Sequence, residues 1–92
     1  MTSNQTTVEV EYARFTDPIR TYVITSSFTP DTIRVYAGEP RETETIVCTI
    51  SNVSIHPIPA FGGLWVTNTP DWKDRFCAEA VRVYRNAVHR SL

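Results

Sequence analysis

The tetrapeptide Thr69-Pro70-Asp71-Trp72 constrains this chain more than any other stretch. Threonine can accept the free amides of a first helical turn. Proline fits the first helical position because its missing donor is not needed there, and an acid in that turn complements the positive end of the helix dipole. At 100° per residue, Trp72, Phe76, Cys77, Ala80, Val81, Val83, Tyr84, Ala87 and Val88 fall within one half of the circumference. Asp74, Arg75, Glu79, Arg82, Arg85, Asn86 and His89 fill the other half. The pattern predicts an amphipathic helix over 69–91, and such a helix must lie on an apolar surface supplied by the preceding residues.

Those residues read as strands. Val8, Val10 and Tyr12 alternate with Glu9, Glu11 and Ala13. Asp17-Pro18 marks a turn. Over residues 20–28, Tyr22, Ile24, Ser26 and Phe28 share one face, with Val23 and Thr25 on the other. Thr29-Pro30-Asp31-Thr32 suits a type I turn with proline at its second position. Ile33, Val35 and Ala37 form a third strand, with Arg34 and Tyr36 pointing the opposite way. Gly38 to Glu42 closes a hairpin, and Thr43 to Ile50 is a β-branched fourth strand placing Ile46, Cys48 and Ile50 on one face. Connections this short make the strands antiparallel neighbours.

After Ile50 the alternation breaks, so Ser51-Asn52 reads as a bulge or turn. His56-Pro57-Ile58-Pro59 cannot be a central strand, because proline donates nothing to a ladder. Gly62-Gly63 permits a bend, and Leu64-Trp65-Val66 reads as a short last strand. The fold class is therefore α+β: a four- to five-stranded antiparallel meander with one C-terminal amphipathic helix packed on one face. The 92 residues form one domain, with a flexible start (1–6), a β-meander (7–67) and the helix.

Charge excludes little. The chain carries a net charge of −1, which does not pull it globally toward nucleic acid or an anionic membrane. No apolar run approaches the roughly 18 residues of a membrane span. The start lacks the basic and apolar regions of a signal peptide, so a cytoplasmic protein with reduced thiols is expected.

Cys48, His56, Cys77 and His89 are too widely spaced for a zinc module, and no cofactor motif is present. The two cysteines fit buried structural thiols. There is no nucleophile elbow and no phosphate loop, and Glu42 and Glu44 read as solvated charges that discourage edge pairing. These readings predict a protein that is not an enzyme.

Binding surfaces remain. One helix covers one face of a small sheet, which would leave Val23, Thr25, Arg34, Tyr36, Thr45, Val47 and Thr49 on the other. Aromatic and β-branched residues around one arginine suit a protein interface, for another protein or a second copy of the chain. The loop from His56 to Trp65 is stiffened by prolines. Its Phe61 and Trp65 either plug the end of the core or present a rigid apolar protrusion to a partner. On the helix, Arg75, Arg82, Arg85 and His89 form a basic stripe that could pair with phosphates, or simply complement the helix dipole.

Leu64-Trp65-Val66 followed by Pro70-Asp71-Trp72 resembles the last third of Whirly-like and PUR-repeat single-strand-binding domains, which pair a curved sheet with a C-terminal helix and usually dimerise. Their sheets are basic, whereas this one carries Glu9, Glu11, Glu42 and Glu44. The expected function is protein–protein binding as an adaptor or an inhibitor, one concrete form being a phage or mobile-element inhibitor of a host defence complex. The alternative is a dimeric single-stranded nucleic-acid binder using the arginine stripe.

Overall fold

The structure, a computed structural model, describes residues 10–38 and 45–91. The expected flexible start, most of the Gly38–Glu42 hairpin, Glu42 and Glu44 lie outside the described residues. Five strands, β1 (Glu11–Thr16), β2 (Thr21–Ser26), β3 (Ile33–Ala37), β4 (Ile46–Ser51) and β5 (Ile58–Phe61), form one antiparallel sheet in sequence order. A 3-10 helix, Gly63–Thr67, leads into α1, Pro70–Ser91.

The helix begins where its sequence requires. The Thr69 hydroxyl accepts the Trp72 amide at 3.1 Å, and the Thr69 carbonyl accepts the Lys73 amide at 3.0 Å. Phe76, Cys77, Ala80 and Val81 turn onto Tyr22, Ile24, Ile33, Val35, Cys48 and Ile50 to build the main core. Its aromatic end is continuous: Phe76 lies 4.9 Å from Tyr22, 5.5 Å from Phe15 and 4.8 Å from Trp72, ring centre to ring centre.

In β1, Glu11–Thr16, the register shifts between Glu11 and Ala13, and Phe28 lies beyond the end of β2 with Arg34 over its ring instead of sharing the Tyr22 face. Three further places depart from the expected alternation. The first is β4. Val35 pairs with Cys48, but Tyr36 pairs with Ile46, so Val47 is an extra residue in a bulge. The bulge exchanges the two side chains: Val47 joins the helix-side core, fully buried, while Ile46 shares the far face with Tyr36.

The second is the far face itself. It is closed at its centre: Val23 and Thr25 are each 1% exposed and Tyr36 is 2% exposed. The chain's own atoms shield these residues, and at the Thr25 end Arg34 lies over the Phe28 ring at 5.4 Å.

The third is the last strand, which is Ile58–Phe61 rather than Leu64–Val66. Gly62 donates to the Val47 carbonyl at 3.1 Å, and hydrogen-bonded pairs alternate along an antiparallel ladder. Pro59, opposite Ile50, therefore falls at a non-bonded position. Its missing donor weakens nothing in the sheet and leaves the outer edge one amide short.

The turns at the opposite end from the helix start interlock. Asp31 has φ +55°, which places the β2–β3 turn outside type I and in a left-handed conformation. Asn52, also at φ +55°, turns the chain between β4 and β5, its carbonyl accepting the His56 amide at 3.0 Å.

Candidate functional site

The end of the molecule at the helix N-terminus is assembled from three segments: the β1–β2 turn, the 3-10 helix and the first turns of α1. The β1–β2 turn is organised by Asp17. Its Oδ1 accepts the amides of Ile19 and Arg20 at 2.8 and 2.9 Å, and its Oδ2 accepts the Tyr22 hydroxyl at 2.6 Å. The tyrosine hydrogen bond is the main reason the carboxyl sits below the ordinary aspartate range. Burial, and then Asp17, push Tyr22 up to about 12. The turn is thus fixed by a carboxylate, and Ile19 stands out from it, 79% exposed.

Gly63, at φ +58°, admits the chain into the 3-10 helix. Trp65 donates its amide to Gly62, and Asn68 donates to Trp65, both at 3.2 Å, while the Thr67 hydroxyl bonds the Leu64 carbonyl at 3.1 Å. Three residues per turn set successive side chains about 120° apart. With Trp65 turned against the core, its neighbours must point away: Leu64 is 85% exposed and Val66 is exposed as well.

Between these segments runs a groove of about 300 Å³ lined by Asp17, Ile19, Arg20, Tyr22, Leu64, Trp65, Asn68 and Trp72. Across the shared wall of Asp17, Tyr22 and Trp72 lies a second depression of about 380 Å³, reaching Phe15, Pro18 and Arg75. The Arg20 guanidinium rests 5.9 Å from the Trp65 ring.

The residues singled out from the sequence are scattered. Tyr36 and Val47 are buried and offer no side chain to a partner; for Val47 the bulge is the reason. Arg34 is half-buried over Phe28. Phe61 is half-buried on the helix side, 5.8 Å from Trp72 and 6.1 Å from Phe76, with the Lys73 ammonium 5.7 Å from its ring. It plugs the core beside the groove.

The arginine stripe is largely engaged within the chain. Arg75 pairs with Asp71 at 2.8 Å, Arg82 binds Glu79 through two nitrogens at 3.0 and 2.6 Å, and Arg85 donates to the Val53 carbonyl at 2.8 Å. Ile19, Arg20 and Asn68 were missed by sequence reasoning. The signal available was an isoleucine directly after Asp17-Pro18, at a turn tip where polar residues are usual.

The remaining constellations carry no visible chemistry. Cys48 and Cys77 are free and buried, and burial raises both thiols, with Asp74 a second cause at Cys77. A groove of about 510 Å³ beside the end of α1 holds Asp31, Ser54 and His89. There Ser54 Oγ donates directly to the Asp31 carboxylate at 2.8 Å, not to an imidazole. Among the described residues, no group of three or more His, Cys, Asp or Glu side chains could hold a metal, and no helix is long and apolar enough to cross a membrane.

No protein-family model, curated protein or solved structure matches the chain. The resemblance to single-strand-binding domains also loses one of its parts, since Leu64-Trp65-Val66 is helical rather than a strand.

Proposed function

We propose that this chain acts without catalysis, by binding another protein through the end formed by Ile19, Leu64, Trp65 and Val66. The observation that carries this reading is that Ile19 and Leu64, two of the most exposed aliphatic side chains described, rim the same groove. Single exposed apolar residues are ordinary. Two that flank a concave site with tryptophan walls are what a docking surface requires.

The surface is also held in place. A carboxylate fixes one rim, a hydrogen-bonded 3-10 turn fixes the other, and Trp72, in the capped first turn of α1, completes the lining. A rigid surface loses little entropy on association. An adaptor and an inhibitor would both work this way.

The test is affinity capture from the source cells with the wild-type chain and with Leu64→Asp, each with and without nuclease. Both substituted and native side chains sit in solvent at position 64, so the variant should keep its circular dichroism spectrum. A protein held by the wild type, resistant to nuclease and lost with Leu64→Asp is the expected result. A partner retained equally by Leu64→Asp, or one released by nuclease, overturns the reading.

A further inference from the structure

Three arginines of this chain pair with an acid three or four residues away: Arg14 with Glu11, Arg75 with Asp71 and Arg82 with Glu79. Arg20 has the same opportunity in Asp17, three residues before it, and does not take it. Among the described residues it makes no ion pair and no side-chain hydrogen bond. The β1–β2 turn is the reason. Asp17 Oδ1 accepts the backbone amides of Ile19 and Arg20, and Oδ2 accepts the Tyr22 hydroxyl. The carboxylate therefore holds the backbone of Arg20 and leaves its side chain unmatched. That guanidinium stays 5.9 Å from the Trp65 ring, in the lining of the Ile19–Leu64 groove.

The surroundings narrow what can match it. A guanidinium is a planar fork of donors that fits a carboxylate through two parallel bonds. Here it lies among Ile19, Leu64, Trp65 and Trp72, apolar groups that would exclude water under a partner and strengthen a charge pair formed there. The Asn68 side chain, in the same lining, can donate or accept and so discriminates little. Asp17 keeps its negative charge beside the one arginine, so a run of phosphates, which needs several cations together, is poorly matched. One carboxylate next to one aliphatic side chain is well matched.

We infer that the partner protein presents to this groove a segment in which an aspartate or glutamate stands next to an aliphatic residue. The carboxylate pairs with Arg20 and the aliphatic side chain packs on Ile19 and Leu64, so Arg20 selects the partner. This rests on the protein-binding reading above.

Random-peptide display, selected on the wild type and counter-selected on Leu64→Asp, supplies the probes and separates the two readings. Enrichment of an acid beside an aliphatic residue is expected. Leu64-dependent peptides without an acid overturn the inference and leave protein binding at this end standing. Recovery of no Leu64-dependent peptide overturns both.

Exchange of charges then tests the pair on the leading peptide by calorimetry. Arg20 is exposed and Asp17 bonds its backbone amide, so Arg20→Gln and Arg20→Glu should keep the wild-type circular dichroism spectrum. Arg20→Gln should weaken binding at least about tenfold, and so should changing the peptide's acid to its amide on the unaltered protein. A peptide with lysine in place of the acid should fail on the wild type and bind Arg20→Glu. Affinity unchanged in Arg20→Gln, or no recovery in the exchanged pair, overturns the inference. Retention of single-stranded DNA by the wild type that is lost in Arg20→Gln also overturns it, because Arg20 would then serve phosphates.

Discussion

Ser54 on the β4–β5 turn reaches across to Asp31 on the β2–β3 turn with two donors at once, its hydroxyl at 2.8 Å and its amide at 3.1 Å from the carboxylate. The neighbouring Val53 amide bonds the Asp31 carbonyl at 3.1 Å, and the Val53 carbonyl accepts Arg85 from the helix. Two hairpin ends and α1 are thus tied through two adjacent residues. This explains why a non-glycine residue is held at a positive φ: the left-handed turn costs about 1 kcal/mol or more, and the hydrogen bonds it aims offset that cost.

A double-mutant cycle measures the tie. Ser54→Ala should cost about 1 kcal/mol, and Asp31→Ala somewhat more, because it keeps the left-handed strain and removes the acceptors. Asp31→Gly should be less harmful than Asp31→Ala, since glycine relieves the strain. The coupling between Asp31→Ala and Ser54→Ala, read from urea denaturation, should be about 0.5–1 kcal/mol. Additive single effects would mean that the turns are not linked.

The turn at Asp17 should make stability depend on pH at both extremes. The carboxyl is held below its unfolded value, chiefly by the Tyr22 hydroxyl, so its contribution is present above the ordinary aspartate pKa of 3.8 and is lost as pH falls through the lower folded value. Tyr22 is shifted the other way, to about 12 from 10.0, so its contribution is present below 10.0 and disappears as pH rises toward 12. Thermal denaturation of Tyr22→Phe against wild type from pH 2 to 7 checks the acid limb. The gap between them should be widest near neutrality and narrow in acid.

The bulge in β4 makes neighbouring residues unequal. Val47→Ala removes two methyl groups from a fully buried site and should cost about 2–3 kcal/mol with the cavity it leaves. Ile46→Thr, on the half-buried far side, should cost less than about 1 kcal/mol. Uninterrupted alternation would reverse this order, so equilibrium unfolding of the two variants tests the register directly.

That bulge shows where the sequence stops being legible. The helix could be read to its cap because Thr69, Pro70 and a long 3.6-residue period all agree. The alternation of β3, and of β2 from Tyr22 to Ser26, was readable as well, but Phe28 falls beyond the strand, under Arg34, rather than on the Tyr22 face. In β4, by contrast, Thr45-Ile46-Val47-Cys48 is β-branched or apolar throughout, so one extra residue shifts the parity without leaving a mark. Leu64-Trp65-Val66 is too short to distinguish a period of two from a period of three. The prolines that argued against a central strand at 57–59 left an edge strand open, and the edge is where β5 runs. The groove was legible only in fragments, because Ile19 and Leu64 are separated by most of the sheet and meet through the topology.

The four arginines of α1 separate what a shared charge would make uniform. Arg75 and Arg82 are exposed and pair with acids one turn away, where salt and solvent reduce the gain. Replacing either with alanine should leave the unfolding transition close to that of the wild type. Arg85 instead spans from the helix to Val53, and its loss leaves a carbonyl of the interlocked turns without that donor. Arg85→Ala should cost about 1–2 kcal/mol and should raise amide hydrogen exchange at 53–56. Arg90 lies in the last turn, where the helix dipole favours a cation, so Arg90→Ala should cost a few tenths of a kcal/mol. If the stripe were instead a phosphate-binding surface, Arg75, Arg82, Arg85 and Arg90 would contribute comparably to retention on single-stranded DNA, each lowering the salt dependence by about one unit. A filter-binding series on the four alanine variants at two salt concentrations, set beside their unfolding free energies, distinguishes one structural arginine among surface charges from a continuous binding face.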